Sequence, residues 1–130
     1  MKTMLDQHKD TAYALLRIVS GFLFLTHGAG KLFGIMGGTQ RELMSLMGLA
    51  GVIEFVGGLA IMVGFMTGIA AFISSGQMAV AYFMAHFPTG LWPAQRVEGV
   101  GSGGELALVY CFLFFFIAMA GAGKWSVDNR

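Results

Sequence analysis

The stretch of sequence that decides the fold is residues 55–95, FVGGLAIMVGFMTGIAAFISSGQMAVAYFMAHFPTGLWPAQ, which contains no Asp, Glu, Lys or Arg. As a single helix rising ~1.5 Å per residue it would extend about 60 Å, twice the ~30 Å hydrocarbon core of a bilayer. The stretch must therefore turn back on itself once. The two glycines of residues 64–68 (GFMTG) and the capping ability of Thr67 place that turn between two membrane helices.

The composition of the whole chain indicates that much of its surface does not face water. Of the 130 residues, 56% are hydrophobic and 12% are charged, and that charged share is about half of what soluble domains carry. A domain of this length exposes much of its surface and needs polar residues to cover it. A net charge of +1 without basic clusters argues against nucleic acid as a partner. The single cysteine, Cys111, forms no metal-ligand motif, so no metal is expected.

The apolar segments predict an all-α fold, a transmembrane four-helix bundle. We expect helices over about residues 11–33, 46–65, 68–86 and 104–122, between tails of residues 1–10 and 123–130. Small residues such as Gly21 and Gly58 are predicted to let helices approach closely. Lys and Arg are more frequent near the tails than in the two long loops, which favours cytoplasmic termini. A cleaved signal peptide is disfavoured, because Arg17 interrupts the first apolar run.

Eight polar side chains fall inside the predicted membrane helices or at their ends. A charge in hydrocarbon costs ~2.5–3.5 kcal/mol on insertion scales, so such residues need partners or a function. Arg17 is placed near the cytoplasmic face, whereas the other residues are predicted to gather as a polar site in and below the outer half of the bundle. These residues are His27, Lys31, Glu54, Gln77, Tyr82, His86 and Glu105.

Several of these residues also have a purely structural interpretation. Arg17 can extend to the cytoplasmic surface, or it can bind the C-terminal segment, for example at Asp128. Lys31 can extend to the outer surface, and the histidines can be interfacial. Residues 102–105 (SGGE) fit a helix capping box, which would explain Glu105.

Glu54 is the strongest candidate for a functional or assembly-determining group. It lies near mid-depth in the second predicted helix, and its side chain is too short to reach the surface. We expect it either to be neutral or to pair with Lys31 or with a histidine.

Several segments, taken in order, resemble the DoxX family of small four-helix membrane proteins. They are RIVSGFLF at 17–24, HG at 27–28, GKLF at 30–33, EFVGGL at 54–59 and the ending GAGKWSVD at 121–128. The segments at 81–83, 86–88, 92–93, 104–105 and 110–112 are similar to one bacterial branch of the family. That branch has Asn-x-Gly-Glu before the fourth helix, whereas this chain has a longer, glycine-rich loop at 96–103.

The resemblance implies a multi-pass protein of the bacterial inner membrane with cytoplasmic termini. Some members of the family are subunits of a thiosulfate:quinone oxidoreductase, and others accompany quinone or thiol stress responses. This sequence has no haem or iron–sulfur ligand set, no Rossmann glycines and no paired thiols. Redox chemistry would therefore need a bound quinone or a partner protein.

Three functions remain open from the sequence. The first is a non-catalytic membrane subunit or anchor, associated with a redox system, whose polar residues bind a redox-enzyme partner or a second copy of the chain. The second is a quinone-binding subunit of a membrane oxidoreductase, in which His27 or His86 donates to a carbonyl and Glu54 relays protons. The third is a small-solute transporter, for which four helices without a visible inverted repeat are few.

Overall fold

In the part of the chain that the structure describes, the regular elements are helices apart from one short strand pair. The computed structural model describes residues 4–35, 45–86, 96–97, 101–102 and 104–129. Within these ranges the α-helices are α1 (Lys9–Phe33), α2 (Leu46–Val63), α3 (Thr67–Ala81) and α4 (Glu105–Ala120). A 3-10 turn at Asp6–His8 precedes α1, and a π-helical turn at Tyr82–His86 continues α3. Strands β1 (Arg96–Val97) and β2 (Gly101–Ser102) pair antiparallel.

The helices differ in how well they match the thickness of a bilayer. The segments Asp6–Phe33 and Thr67–Met84 are long and apolar enough to cross a membrane, with mean hydropathies of 1.3 and 1.2. The apolar segments Gly48–Val63 and Glu105–Ala120 are shorter. Large apolar side chains also cover the outside of the helices, such as Phe112, which is 68% exposed. The all-α fold is thus confirmed, while four crossings remain a prediction.

Helices α1 and α2 approach until their backbones touch, at the glycines that the sequence singled out. A Cβ atom on Gly21 would lie 2.5 Å from the backbone nitrogen of Met62. A Cβ atom on Gly58 would lie 2.5 Å from the backbone nitrogen of Leu25. Only glycine permits this approach, and close packing replaces the hydrophobic drive that lipid does not supply.

The buried core lies where the four helices meet, and most of its residues belong to α3 and α4. Phe24 of α1 packs against Phe114 of α4, with the ring centroids 4.7 Å apart. Tyr110 stacks parallel to Phe114 at 5.3 Å, and its ring closes the core toward the end of the bundle that carries Lys31. Aromatic pairs in these geometries add stabilisation beyond the area that they bury.

The turn between α2 and α3 is capped from a distant part of the chain. Gly64 ends α2 with a left-handed φ of 74°, and Met66, also left-handed, precedes α3. The expected capping by Thr67 is wrong, because Thr67 is the first helical residue. The Asp128 carboxylate accepts instead from the backbone N–H groups of Met66 and Thr67, at 2.9 and 3.0 Å.

The start of α4 also differs from the sequence-based prediction. Gly104 occupies the N-cap position with a left-handed φ of 101°, and no described side chain caps it. Glu105 is therefore the first helical residue rather than the third, and Ser102 lies two positions before the cap. The predicted capping box is wrong because the glycine-rich approach lets the helix begin later than the S-x-x-E pattern requires.

Candidate functional site

A cavity of about 230 Å³ opens between the four helices at the end of the bundle that carries Lys31. Its lining is largely apolar or aromatic with a few polar side chains, the pattern typical of small-molecule sites. Since an apolar cavity of ~150 Å³ holds a benzene ring, this space suits one ring with small substituents. The lining residues are Phe24, His27, Lys31, Glu54, Met78, Ala81, Gly104, Leu106, Ala107 and Tyr110.

An ion pair joins α1 to α2 at this cavity. The Lys31 Nζ atom lies 2.5 Å from Glu54 Oε2, and Glu54 is only 1% exposed. A carboxylate buried to this extent requires a paired cation or hydrogen-bond donors, since its isolated charge would be very costly. Lys31 therefore turns inward to Glu54 and does not extend to the outer surface. Pairing with Lys31 was one of the three alternatives that the sequence left open for Glu54, beside a neutral side chain and a pair with a histidine.

The two oxygens of Glu54 have unequal surroundings. Gln77 of α3 donates from Nε2 to the same Oε2 atom at 3.2 Å. Oε1 of Glu54 is buried and has no hydrogen-bond partner among the described residues, and the same holds for Oε1 of Gln77. Buried polar atoms are nearly always paired, so an unpaired one at a cavity needs an explanation.

His27 lies one turn before Lys31 on the same face of α1. Its Nδ1 atom is 2.9 Å from the carbonyl oxygen of Leu23. Because a carbonyl can only accept, Nδ1 carries the hydrogen, and Nε2 of the neutral ring is an acceptor. The ring stands edge-on to Tyr110, with the centroids 6.0 Å apart. His27 thus contributes a second acceptor close to the aromatic wall of the cavity.

The structure brings some of the predicted site residues together and separates others. His27, Lys31 and Glu54 line the cavity, and Gln77 binds Glu54. Tyr82 is buried in the core cluster that includes Met78 and Tyr110, and it does not line the cavity.

Two further predicted residues do not contribute a described side chain to the cavity. Glu105 is exposed at the start of α4 and is absent from the lining. His86 ends the π-helical turn, and its side chain lies outside the described residues.

Sequence reasoning did not single out Tyr110, Ala107 and Met78 as site residues. An apolar helix does not reveal from its sequence which of its faces turns inward. A helical repeat offers one signal, because Ala107, Tyr110 and Phe114 recur at spacings of three and four and are all buried. Within the described ranges, no group of three or more His, Cys, Asp or Glu residues is placed to hold a metal ion.

Arg17 organises the opposite end of the bundle. It is completely buried, so the predicted extension to the surface is wrong. Its guanidinium donates to the carbonyls of Ile61 and Met62 at the end of α2, at 3.0 and 3.5 Å. The remaining donors bind three carbonyls of the C-terminal segment, residues 121–129, and these belong to Ala122, Lys124 and Trp125. The five N–H groups of a guanidinium match such a set of acceptors.

The C-terminal segment is bound through its backbone as well as through Arg17. The N–H of Val127 donates to the carbonyl of Val63 at 3.0 Å, and the N–H of Asp128 donates to that of Gly64 at 2.8 Å. The sequence associated Arg17 with this segment as one alternative, but Asp128 caps α3 instead of pairing with Arg17 directly. The N–H of Thr67, followed by its hydroxyl, lowers the pKa of the Asp128 carboxyl below its ordinary value.

Comparison with known proteins identifies related chains. The DoxX family matches residues 12–87. A Haemophilus influenzae protein described only as uncharacterized is 35% identical over 130 residues, covering 97% of this chain and 95% of that protein. The inner membrane protein YqjF of Escherichia coli K12 is 32% identical over 129 residues, covering 93% of this chain and 92% of that protein. No solved structure is significantly similar to the chain.

Proposed function

Because this chain belongs to the DoxX family of membrane proteins, we propose that it crosses the bacterial inner membrane four times, with both termini in the cytoplasm. The related inner membrane protein of Escherichia coli supports the location. Helix α2 packs against both α1 and α3, and α4 packs against α3, so the shorter helices share the depth of the two long ones. The excess of Lys and Arg near the tails supports the orientation.

Within that membrane, the geometry best supports a membrane subunit of a redox system that binds a quinone-type ring. The observation that carries this proposal is the aromatic cavity with the Lys31–Glu54 pair at its edge. Phe24 and Tyr110 offer faces and edges against which a planar ring can lie. Lys31 has N–H donors beyond the one that binds Glu54, and these suit a ring oxygen. The residues therefore fit such a ligand.

The roles of the chain's own residues follow from this fit. A bound quinone supplies the electron-carrying chemistry, since the chain has one cysteine and no recognised haem or iron–sulfur ligand set. The aromatic lining orients the ring and excludes water. Glu54 Oε1 and His27 Nε2 are the two acceptors at which a proton is held beside it.

A purely non-catalytic anchor is the second candidate, and it uses the same polar residues to bind a partner or a second copy of the chain. Burial argues against this use, because Glu54 is 1% exposed and its described partners, Lys31 and Gln77, belong to its own chain. Side chains at an interface between subunits would need to reach the outer surface of the bundle. No feature of the described residues favours the transporter alternative.

Quinone binding is tested by replacing a small residue of the cavity lining with a large one that fills the cavity. Ala107 is 6% exposed and lines the cavity, so Ala107→Phe fills the space that a ring would occupy. Ala120→Phe makes the same change on the exposed surface of the same helix and serves as the matched control. We expect the wild type and the control, purified in mild detergent, to retain quinone that solvent extraction and mass spectrometry detect.

We expect the Ala107→Phe protein to lose most of this bound quinone while remaining folded. Equal retention by Ala107→Phe and the wild type would show that quinone is held elsewhere, for example as bulk lipid. A wild-type protein that retains no quinone, and takes up none when it is added, would contradict the proposed function outright.

A further inference from the structure

The hydrogen-bond acceptors around the cavity indicate which redox form of the ring the cavity binds. We infer that the site prefers a ring bearing hydroxyl groups, a hydroquinone, over the corresponding oxidised quinone, whose two ring oxygens only accept hydrogen bonds. This inference rests on the proposed function, and it adds a preference between two redox forms of one ligand.

The first observation is the asymmetry of the Glu54 carboxylate. Both described donors, Lys31 Nζ and Gln77 Nε2, converge on Oε2. Oε1 is left buried without a partner in the described part of the chain. In the ion pair with Lys31 the Glu54 carboxylate can only accept hydrogen bonds. A quinone carbonyl beside Oε1 would place two acceptors face to face, whereas a hydroxyl group would donate to it.

The second observation is the tautomer of His27. Since Nδ1 donates its hydrogen to the Leu23 carbonyl, the neutral ring presents an acceptor at Nε2. A hydroxyl donor on the ligand suits this nitrogen, and a carbonyl does not. Two of the polar groups that line the cavity, on α1 and on α2, therefore present acceptors that a hydroxyl group on the ligand complements.

The donors at the cavity do not reverse this preference. Lys31 is the one cationic side chain among the described lining residues, and its remaining N–H groups suit a carbonyl oxygen. A hydroxyl oxygen also accepts, so a hydroquinone binds Lys31 through its lone pairs and Glu54 through its hydrogen. The Tyr110 hydroxyl both donates and accepts and is compatible with either form. Of the two redox forms, the hydroquinone is the one that has hydrogens to donate to Glu54 Oε1 and to His27 Nε2.

The test compares three probes with the same ring carbon skeleton and side chain on the full-length protein in mild detergent under anaerobic conditions. They are a short-chain benzoquinol, the matching benzoquinone and the di-O-methyl ether of the quinol, which has no hydroxyl donor. A hydrogen bond to a charged group corresponds to roughly tenfold or more in affinity. We therefore expect the quinol to bind at least about tenfold more tightly than either of the other two.

Glu54→Gln gives the sharper comparison. With the amide oxygen facing Lys31, the amide N–H groups replace Oε1, so the acceptor becomes a donor. We expect the preference for the quinol to disappear or to invert in favour of the quinone. Glu105→Gln makes the same chemical change at an exposed position outside the cavity lining, and it should leave the affinity ratio unchanged.

The outcomes separate this inference from the function on which it rests. Equal or tighter binding of the quinone, or of the di-O-methyl ether, by the wild type would overturn the preference while leaving ring binding intact. Failure of all three probes to bind would overturn the proposed function and the inference with it. If Glu54→Gln does not fold, the ranking of the three probes on the wild type still decides the question.

Discussion

Replacement of Arg17 by methionine tests the contacts that hold the C-terminal segment against the helices. Methionine has a similar length and is apolar, so Arg17→Met removes the guanidinium without leaving a large void. Of the five carbonyls that Arg17 binds, the one of Met62 is at 3.5 Å and the others are closer. The change therefore removes four close hydrogen bonds and one long contact.

The size of the effect follows from those bonds. At ~0.5–1.5 kcal/mol net for each hydrogen bond, four close bonds correspond to about 2–6 kcal/mol. Removing a buried cation also removes its desolvation cost, which offsets part of the loss. We expect the free energy of unfolding to fall by about 3 kcal/mol, with most of the change arising where the C-terminal segment docks.

Two measurements check this expectation. Titration with a denaturing detergent gives the loss of stability, and limited tryptic cleavage after Lys124 reports release of the segment, since Lys124 is exposed on it. Lys9→Met, at an exposed position at the start of α1, removes a positive charge from the surface and serves as the control. If Arg17→Met unfolds like the wild type to within about 1 kcal/mol and is cleaved no faster, the reasoning from the five carbonyls is refuted.

Three further predictions concern other contacts. Because the folded-state pKa of Asp128 is lowered, its stabilising effect is present above the ordinary value of 3.8 and is lost as the pH falls through the lowered pKa. Asp128→Asn should flatten this acid dependence of the free energy of unfolding, which the detergent titration repeated at a series of pH values measures. Gly58→Ala should lower the free energy of unfolding by about 1–3 kcal/mol, because the added Cβ overpacks the contact with α1. Gly76→Ala is the matched control, because no described atom of a neighbouring element lies within 4 Å of its added Cβ, and it should be neutral or slightly stabilising in the same detergent titration. Lys31→Met should cost about 3–5 kcal/mol by leaving the Glu54 carboxylate unpaired, and adding Glu54→Leu should restore most of the loss, as a double-mutant cycle would measure.

The sequence predicted the features that depend on spacing along one helix or on depth in a bilayer. Lys31 and Glu54 were assigned to neighbouring helices in the same half of the bundle, and the structure pairs them at 2.5 Å. The close approach at Gly21 and Gly58 was likewise readable, because small residues are the means by which membrane helices pack.

The features that the sequence did not reveal depend on contacts between distant parts of the chain. Capping of α3 by Asp128 joins residues 61 positions apart, and nothing near Thr67 indicates it. Binding of Arg17 to the C-terminal segment was one of two alternatives, but its acceptors could not be named, because they are backbone carbonyls, which every residue carries and which leave no trace in composition. The predicted role of Glu105 failed because the conformation of Gly104 sets where α4 begins. In each case tertiary structure overrode a local pattern.

The contacts of Arg17 also have a consequence for the order in which the protein is made. Arg17 belongs to α1, whereas three of its acceptors, on Ala122, Lys124 and Trp125, are synthesised after α4. During translation this guanidinium needs water or lipid headgroups as temporary partners. A chain that stops before residue 122 lacks these three acceptors and keeps an incompletely paired cation in α1.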